Sequence, residues 1–257
     1  MFEKNALGAN ARQMKIQFSR STLKIIAAVL VFIGTIGVIV EHHVLNIGDH
    51  SRASLLEAME KSPDVMFTVT MVLLCTGIAA MAIPVYTHLL IEGYKHTSSK
   101  RDYFVRLLVM ALVTEVPYDI AMQNTWFETA NQNPVFGLMI ALMLVFSIDY
   151  ASNVKKFKGV LLRMIMIAAA CLWCLLLCVD HGIVIVLVTV VMWIMDGQGA
   201  LKTFLTAIVA LIGLTAPFGL IFNHFYNGEK GKTDNRIFYF VYPAQLLILG
   251  LIGKFLP

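Results

Sequence analysis

Runs of about 20 apolar residues follow one another from Leu23 almost to the C-terminus, each long enough to cross a hydrocarbon core about 30 Å thick as an α-helix. That succession leaves few architectures open. In lipid every backbone N–H and C=O must be satisfied inside the protein, which restricts a spanning chain to helices or a closed barrel. The runs are continuous and do not alternate residue by residue, so a β-barrel is excluded. With 58% of residues hydrophobic and only 14% charged, a water-soluble fold would have no interior large enough for them. The chain is predicted to be all-α, a polytopic transmembrane helical bundle whose first partner is the lipid bilayer.

Hydropathy and turn punctuation place about eight membrane helices, some short or re-entrant, at residues 23–44, 66–91, 103–122, 134–150, 160–178, 182–195, 204–222 and 238–255. Residues 1–22 read as a basic cytoplasmic tail (Lys4, Arg12, Lys15, Arg20) without a small-residue cleavage site, and 23–257 as a single transmembrane domain. Lys/Arg asymmetry then puts both termini inside a plasma membrane, with Lys95, Lys100, Arg101, Lys158 and Lys202 in cytoplasmic connectors. Connector 46–64, with its weakly amphipathic stretch, would face out, as would the lysine-free connectors 123–133 and 179–182. The basic loop that begins at Tyr226 breaks this pattern, because eight crossings place it outside. The run 182–195 is short for a full span; if it re-enters, the loop returns to the cytoplasm, and the count of eight leaves the loop's side open.

Several polar residues stand out against this background. His88, Glu92 and His96 recur every four residues, which stacks them on one helix face. One helix offers at most three ligands and no second helix supplies partners, so no metal is expected. The better reading is a polar wall facing a cavity, with Arg106 on the next helix as the ion partner of Glu92. Glu115, beside Pro117, reads as a groove-lining residue or a buried structural hydrogen bond. Cys75, Cys171, Cys174 and Cys178 lie in apolar runs and read as small buried thiols. No nucleic-acid partner is expected.

The stretches "IPVYTHLLIEGYKHTSSKRDYFVRLL", "ALVTEVPYDIA", "FYNGEKG" and "FYFVYPAQLLIL" together resemble the TraX family of integral membrane proteins. That family is similar to the wider group of transmembrane acyltransferases that includes the heparan-α-glucosaminide acetyltransferases. The resemblance implies a bacterial inner-membrane acyltransferase. It would use acetyl-CoA or another acyl-CoA as cytoplasmic donor and a peptide N-terminus, a glycan or a lipid as acceptor. Alternatives are a non-catalytic relative acting as an assembly factor, or a small-molecule transporter. Glu92, Gly93, His96 and Thr97 match the family element, and Arg106, Glu115, Asn227, Gly228, Lys230 and Tyr242 join Glu92 and His96 as expected substrate-binding positions.

Two departures bear on the chemistry. Where the family carries Asp-His on its first helix, this chain has Gly34 and Thr35, and Gln245 replaces a histidine. Two turns beyond Gly34 the same helix reads Glu41-His42, an acid–histidine pair on nearly the same face. Acyl transfer needs a base near neutral pKa and donors for the developing oxyanion. His42, oriented by Glu41, is the expected base, with Asp180 approaching from the outer connector and His181 as the next candidate.

Overall fold

The structure is a computed structural model that describes residues 17–45, 52–154, 156–232 and 237–255. Helix starts are set locally. Ser19 caps α1 (Arg20–Val40), and Ser62 with Pro63 opens α3 (Pro63–Ala80) after a short α2 (Arg52–Lys61). A turn at Met81 separates α3 from α4 (Ala82–His96), and together they form one apolar stretch of 34 residues, Pro63–His96. Ser99 caps α5 (Lys100–Met122), and Asn133 with Pro134 opens α6 (Pro134–Tyr150). Each cap oxygen accepts an N–H that the first turn would otherwise leave unpaired. Then come α7 (Lys156–Leu176), α8 (Gly182–Ile194), α9 (Gly199–Ala210), the five-residue α10 (Leu220–His224) and α11 (Phe238–Phe255).

Among the described residues, five stretches are long and apolar enough to cross a membrane: Arg20–His43, Pro63–His96, Pro134–Asn153, Phe157–Leu176 and Phe238–Phe255. α5 has the length but carries Arg106, Glu115 and Asp119. Six helices close a ring in which each packs on the next, in the order α1, α11, α5, α6, α8 and α4. α3 lies against α1 outside this ring, and α7 and α9 against α8. Among the described residues the only extended pairings are isolated bridges, Phe18 with Tyr226 and Gln132 with Val179.

Contacts sort the connectors onto two ends. At the proximal end, Phe18 N donates to Phe225 O (2.8 Å) and Arg20 N to Glu229 O (2.8 Å). Lys95 meets Asp196 there (2.6 Å), and Tyr94 Oη donates to Asp149 (2.7 Å). At the distal end His42 bonds Met122 O (2.9 Å), Asp180 N donates to Gln132 O (2.9 Å) and Lys254 Nζ donates to Asn124 O (3.2 Å).

Three expectations are corrected by this arrangement. Residues 182–195 are not re-entrant: α8 runs the whole way from Asp180 at the distal end to Asp196 at the proximal one. The segment that turns back is 204–222. It leaves the proximal end beside Lys202, reverses through Leu211–Gly213 and Ala216–Gly219 where Thr215 Oγ1 donates to Gly77 O (2.5 Å), and returns to Tyr226 beside Phe18. The basic loop from Tyr226 to Lys232 is therefore on the side where α1 starts, and α11 ends on the opposite side, so the first and last described residues do not share a face. Residues 46–51 of the long connector lie outside the described residues; 52–64 sit at the distal end.

Glycines set the closest approaches. A Cβ on Gly34 would collide with Ala79 Cβ of α3, and one on Gly37 would stand 2.6 Å from Cys75 Cβ. On α11, a Cβ at Gly250 would lie 2.8 Å from Ala121 N and one at Gly253 2.9 Å from Ile39. Membrane helices associate through such small-residue contacts, because lipid gives no hydrophobic drive between them. Gly34→Leu overpacks the α1–α3 contact and should cost about 1–3 kcal/mol. A thermal midpoint in detergent equal to that of Ile25→Leu, a change on a lipid-facing position, would show that the contact is not tight.

Candidate functional site

Inside the ring lies a cavity of about 480 Å³, lined by residues from both ends of the bundle. Its proximal mouth is basic and aromatic, with Arg20 and Lys24 from the start of α1, His96 and Thr97 from the end of α4, Arg106 from α5 and Tyr239 from α11. Its middle is mostly aliphatic but includes Tyr86 and Tyr242, and its distal part reaches Tyr118, Met122, Pro134, Asp180 and His181.

The distal group is built by an unusual piece of backbone. After α7 the chain turns through Cys178 at φ 48° and His181 at φ 53°, both left-handed. Residues other than glycine take that conformation at a cost of about 1–2 kcal/mol, and such strain clusters at functional sites. His181 occupies the cap position of α8 without a side-chain capping bond, so Asp180 is no helix cap. Asp180 Oδ2 instead accepts the Tyr118 hydroxyl (2.8 Å), while its Oδ1 lies 3.7 Å from His181 Nε2. The result is an acid flanked by a phenol and an imidazole at the cavity's distal end.

The proximal mouth rests on Glu92. Its carboxylate meets Arg20 (3.5 Å), His96 Nε2 (3.4 Å), Lys95 (3.9 Å) and the hydroxyl of Tyr226 (3.3 Å). Arg106 is not among these partners; it lies over the Tyr103 ring (5.9 Å) and faces the cavity, so the expected Glu92–Arg106 pair is replaced by Glu92–Arg20. Gly93 is there because a Cβ would stand 2.6 Å from the Tyr103 hydroxyl. His88 lies one turn deeper with its ring edge on Tyr226 (5.0 Å) and does not line the cavity. The loop through Asn227, Gly228 and Lys230 clasps the start of α1. Asn227 N donates to Phe18 O (3.0 Å) and Ser21 Oγ to Lys230 O (3.0 Å), while Gly228 and Gly231 supply positive φ.

The other sequence candidates are placed elsewhere. Glu41 and His42 form a π-helical turn after α1, and His42 Nε2 is bonded to Met122 O. His42 borders a crevice of about 10 Å³, room for about one water, and not the main cavity. Gly34 and Thr35 are buried in packing, Thr35 with its hydroxyl on Val31 O (2.9 Å). Glu115 bonds the N–H and side-chain amide of Asn133, the cap of α6, and not the cavity. Gln245 lies outside the lining, its Nε2 buried without a partner, whereas Tyr242 lines it. Among the described residues no group of three His, Cys, Asp or Glu side chains could hold a metal. Sequence reasoning missed Arg20, Lys24, Tyr86 and Tyr118. Tyr118 was legible only as part of "VPYD", and Arg20 reads as a tail residue until the fold brings it to Glu92.

A family model described as TraX protein matches residues 19–253, nearly the whole of this bundle. The chain belongs to the TraX family. Neither a curated protein nor a solved structure matches it. The TraX elements map onto the geometry. Glu92-Gly93-x-x-His96-Thr97 forms one wall of the proximal mouth and Tyr226-Asn227-Gly228 the clasp that holds the mouth to α1.

Arg20 and Glu92 are each only 14% exposed at their side chains, so cutting the pair leaves a charge largely stranded. Glu92→Gln is expected to cost about 3–5 kcal/mol, whereas Arg106→Gln should leave the thermal midpoint nearly unchanged. Equal effects of the two changes would contradict the assignment.

Asp196 provides a pH test at the same end. Partial burial opposes its charge, but hydrogen bonds from Lys95 and Lys202 (2.9 Å) outweigh that and hold its carboxyl below the usual range. A depressed carboxylate stabilises the fold above its unfolded pKa and loses that contribution as pH falls through the folded value. Wild type and Asp196→Asn should therefore differ in thermal midpoint near neutral pH and converge in acid; a pH-independent difference would refute the ion pairs.

Proposed function

We propose that this TraX family member is a membrane-bound acyltransferase. It takes an acyl group, acetyl in the simplest case, from a cytoplasmic acyl-CoA and passes it to an acceptor from the opposite side. The observation that carries this reading is the single cavity that joins a basic mouth at one end of the bundle to an Asp–His–Tyr group at the other. Arg20, Lys24, Arg106 and His96 suit the phosphates of coenzyme A, with Lys230 close by on the clasp. The aliphatic middle suits a pantetheine arm laid lengthwise.

The distribution of lysines supports one orientation. Lys95, Lys100, Lys202, Lys230 and Lys232 gather at the proximal end, against Lys61 and Lys254 at the distal one. That asymmetry supports a cytoplasmic proximal end, in keeping with a bacterial inner membrane. Seven traverses and one re-entrant hairpin, α9 to α10, then account for the eight apolar runs. The inverted repeat of a secondary transporter is missing, which favours transfer chemistry over transport.

In the reaction, the acceptor's amine or hydroxyl enters at the distal end and attacks the thioester carbonyl carbon. His181 takes the proton that the acceptor loses, Asp180 stabilises the imidazolium and Tyr118 holds Asp180 in place. The C–S bond then breaks and the proton passes to the coenzyme A sulfur, so acyl-CoA and acceptor become acylated acceptor and free thiol. Glu41 and His42 lie away from the cavity, His42 bonded to Met122 O, and take no part in this scheme. A peptide N-terminus, a glycan hydroxyl and a lipid head group all offer the required nucleophile. A non-catalytic relative is the second reading, favoured by Gly34, whose packing on Ala79 leaves no space for the family's acid.

A general base contributes a factor of roughly 10²–10⁴, so His181→Ala should remove nearly all transfer of labelled acetyl from acetyl-CoA while His42→Ala retains it. The reverse result would return the base to the first helix. Purified protein that neither binds nor turns over any acyl-CoA would leave the non-catalytic reading.

A further inference from the structure

The aliphatic middle of the cavity contains two phenols that the protein itself does not satisfy. Tyr242 is only 8% exposed, yet among the described residues its hydroxyl makes no hydrogen bond, and the residue lines the cavity. Tyr86, across the cavity on α4, is half-buried, and its hydroxyl likewise makes no hydrogen bond among the described residues. Polar groups inside proteins are normally paired within the protein, so a phenol held in an aliphatic wall without a protein partner is available to a ligand. Here the unpaired donors face a cavity, and what they lack is an acceptor that a ligand would bring. Tyr118, by contrast, is already committed to Asp180.

The depth of Tyr242 can be read from the glycine contacts. Gly253 of α11 lies on Ile39 of α1, and the two helices run the same way. Eleven residues earlier on each helix stand Tyr242 and Ala28, both in the cavity lining, about 16 Å from that distal contact. Asp180 and Tyr86 line the same cavity as Tyr242. Tyr242 thus stands between the basic mouth that would hold the donor's phosphates and the acid–histidine pair that would receive the acceptor.

We infer that Tyr242 is a catalytic residue that donates its O–H to the thioester carbonyl oxygen of the bound donor, with Tyr86 as the second donor from the opposite wall. This rests on the acyltransferase reading above and adds the missing half of its chemistry. As the acceptor attacks, the carbonyl π electrons move onto oxygen, and a preorganised donor in a water-poor site stabilises that charge. No proton is transferred by the phenol; when the C–S bond breaks the carbonyl reforms and the hydrogen bond relaxes.

The test uses the full chain in nanodiscs with acetyl-CoA labelled with ¹³C at the carbonyl. Isotope-edited infrared spectroscopy should show the bound carbonyl stretch shifted to lower frequency than in solution, and Tyr242→Phe should return most of that shift. Removing one oxyanion donor typically lowers kcat by about 10²–10³, so Tyr242→Phe should lose that much in kcat with little change in acetyl-CoA affinity. Tyr86→Phe should show a smaller loss of the same kind, and Tyr150→Phe, exposed and outside the cavity lining, none. An unshifted carbonyl in wild type, or an unchanged kcat in Tyr242→Phe, would overturn the assignment while leaving the acyltransferase reading intact. Failure of wild type to bind acetyl-CoA at all would sink both.

Discussion

The close approach of helix backbones at four glycines is the constraint on which the rest of this structure depends. Apolar side chains gain nothing by leaving lipid for one another, so a membrane bundle holds where backbones can touch. Gly34 and Gly37 draw α1 onto α3, and Gly250 and Gly253 draw α11 onto α5 and α1. With α1 held on one side by α3, its neighbouring face carries Arg20, Lys24, Ala28 and Val31 into the interior. With α11 held at its distal end, its start is left to flank the mouth with Phe238 and Tyr239. The ring closes, and the space that it encloses is the cavity.

Charges then decide what that space can hold. Ionisable groups inside a membrane are expensive unless they face one another or an aqueous cavity. Glu92 satisfies this by gathering Arg20, Lys95, His96 and Tyr226, which joins α1, α4 and the loop after α10 at one point. A second cluster seals the same end from outside the ring. Lys100 lies 3.6 Å from the centroid of the Tyr94 ring, Tyr94 bonds Asp149, and Trp193 packs edge-on against Tyr94 (5.3 Å). The proximal end is thus stiff and basic. At the distal end the only strongly constrained polar group on the cavity is Asp180, among the described residues, and it is held by strained backbone.

Much of the fold was legible in the sequence because hydropathy and capping signals are local. Residues 134–150 and 238–255 are helices to the residue, and the long run closing at Ile91 is real, extended to His96 by its own polar stripe. The re-entrant hairpin was misassigned because length alone singled out 182–195. The better signal was Gly213, Pro217 and Gly219 in one apolar run, the mark of an interrupted helix. The site was harder to read. Glu92 and Asp180 were evident as charges in apolar surroundings, but the choice of Arg20 over Arg106 is made across 72 residues of chain. Glu41-His42 carries the right chemistry in sequence, and only the register of α1 against α5 turns it onto Met122 O. A tyrosine in a membrane helix reads as packing until a cavity is known to face its hydroxyl.

The central claim is that one cavity links a donor site at the proximal end to an acceptor site at the distal end. It is tested most directly in proteoliposomes of known orientation, with acetyl-CoA labelled in its acetyl group supplied only on the side of the N-terminal residues. The label should appear on an acceptor confined to the other side, while free coenzyme A thiol is released on the side of supply, where a membrane-impermeant thiol reagent detects it. Label and thiol both appearing on the side of supply, with none crossing, would contradict the account.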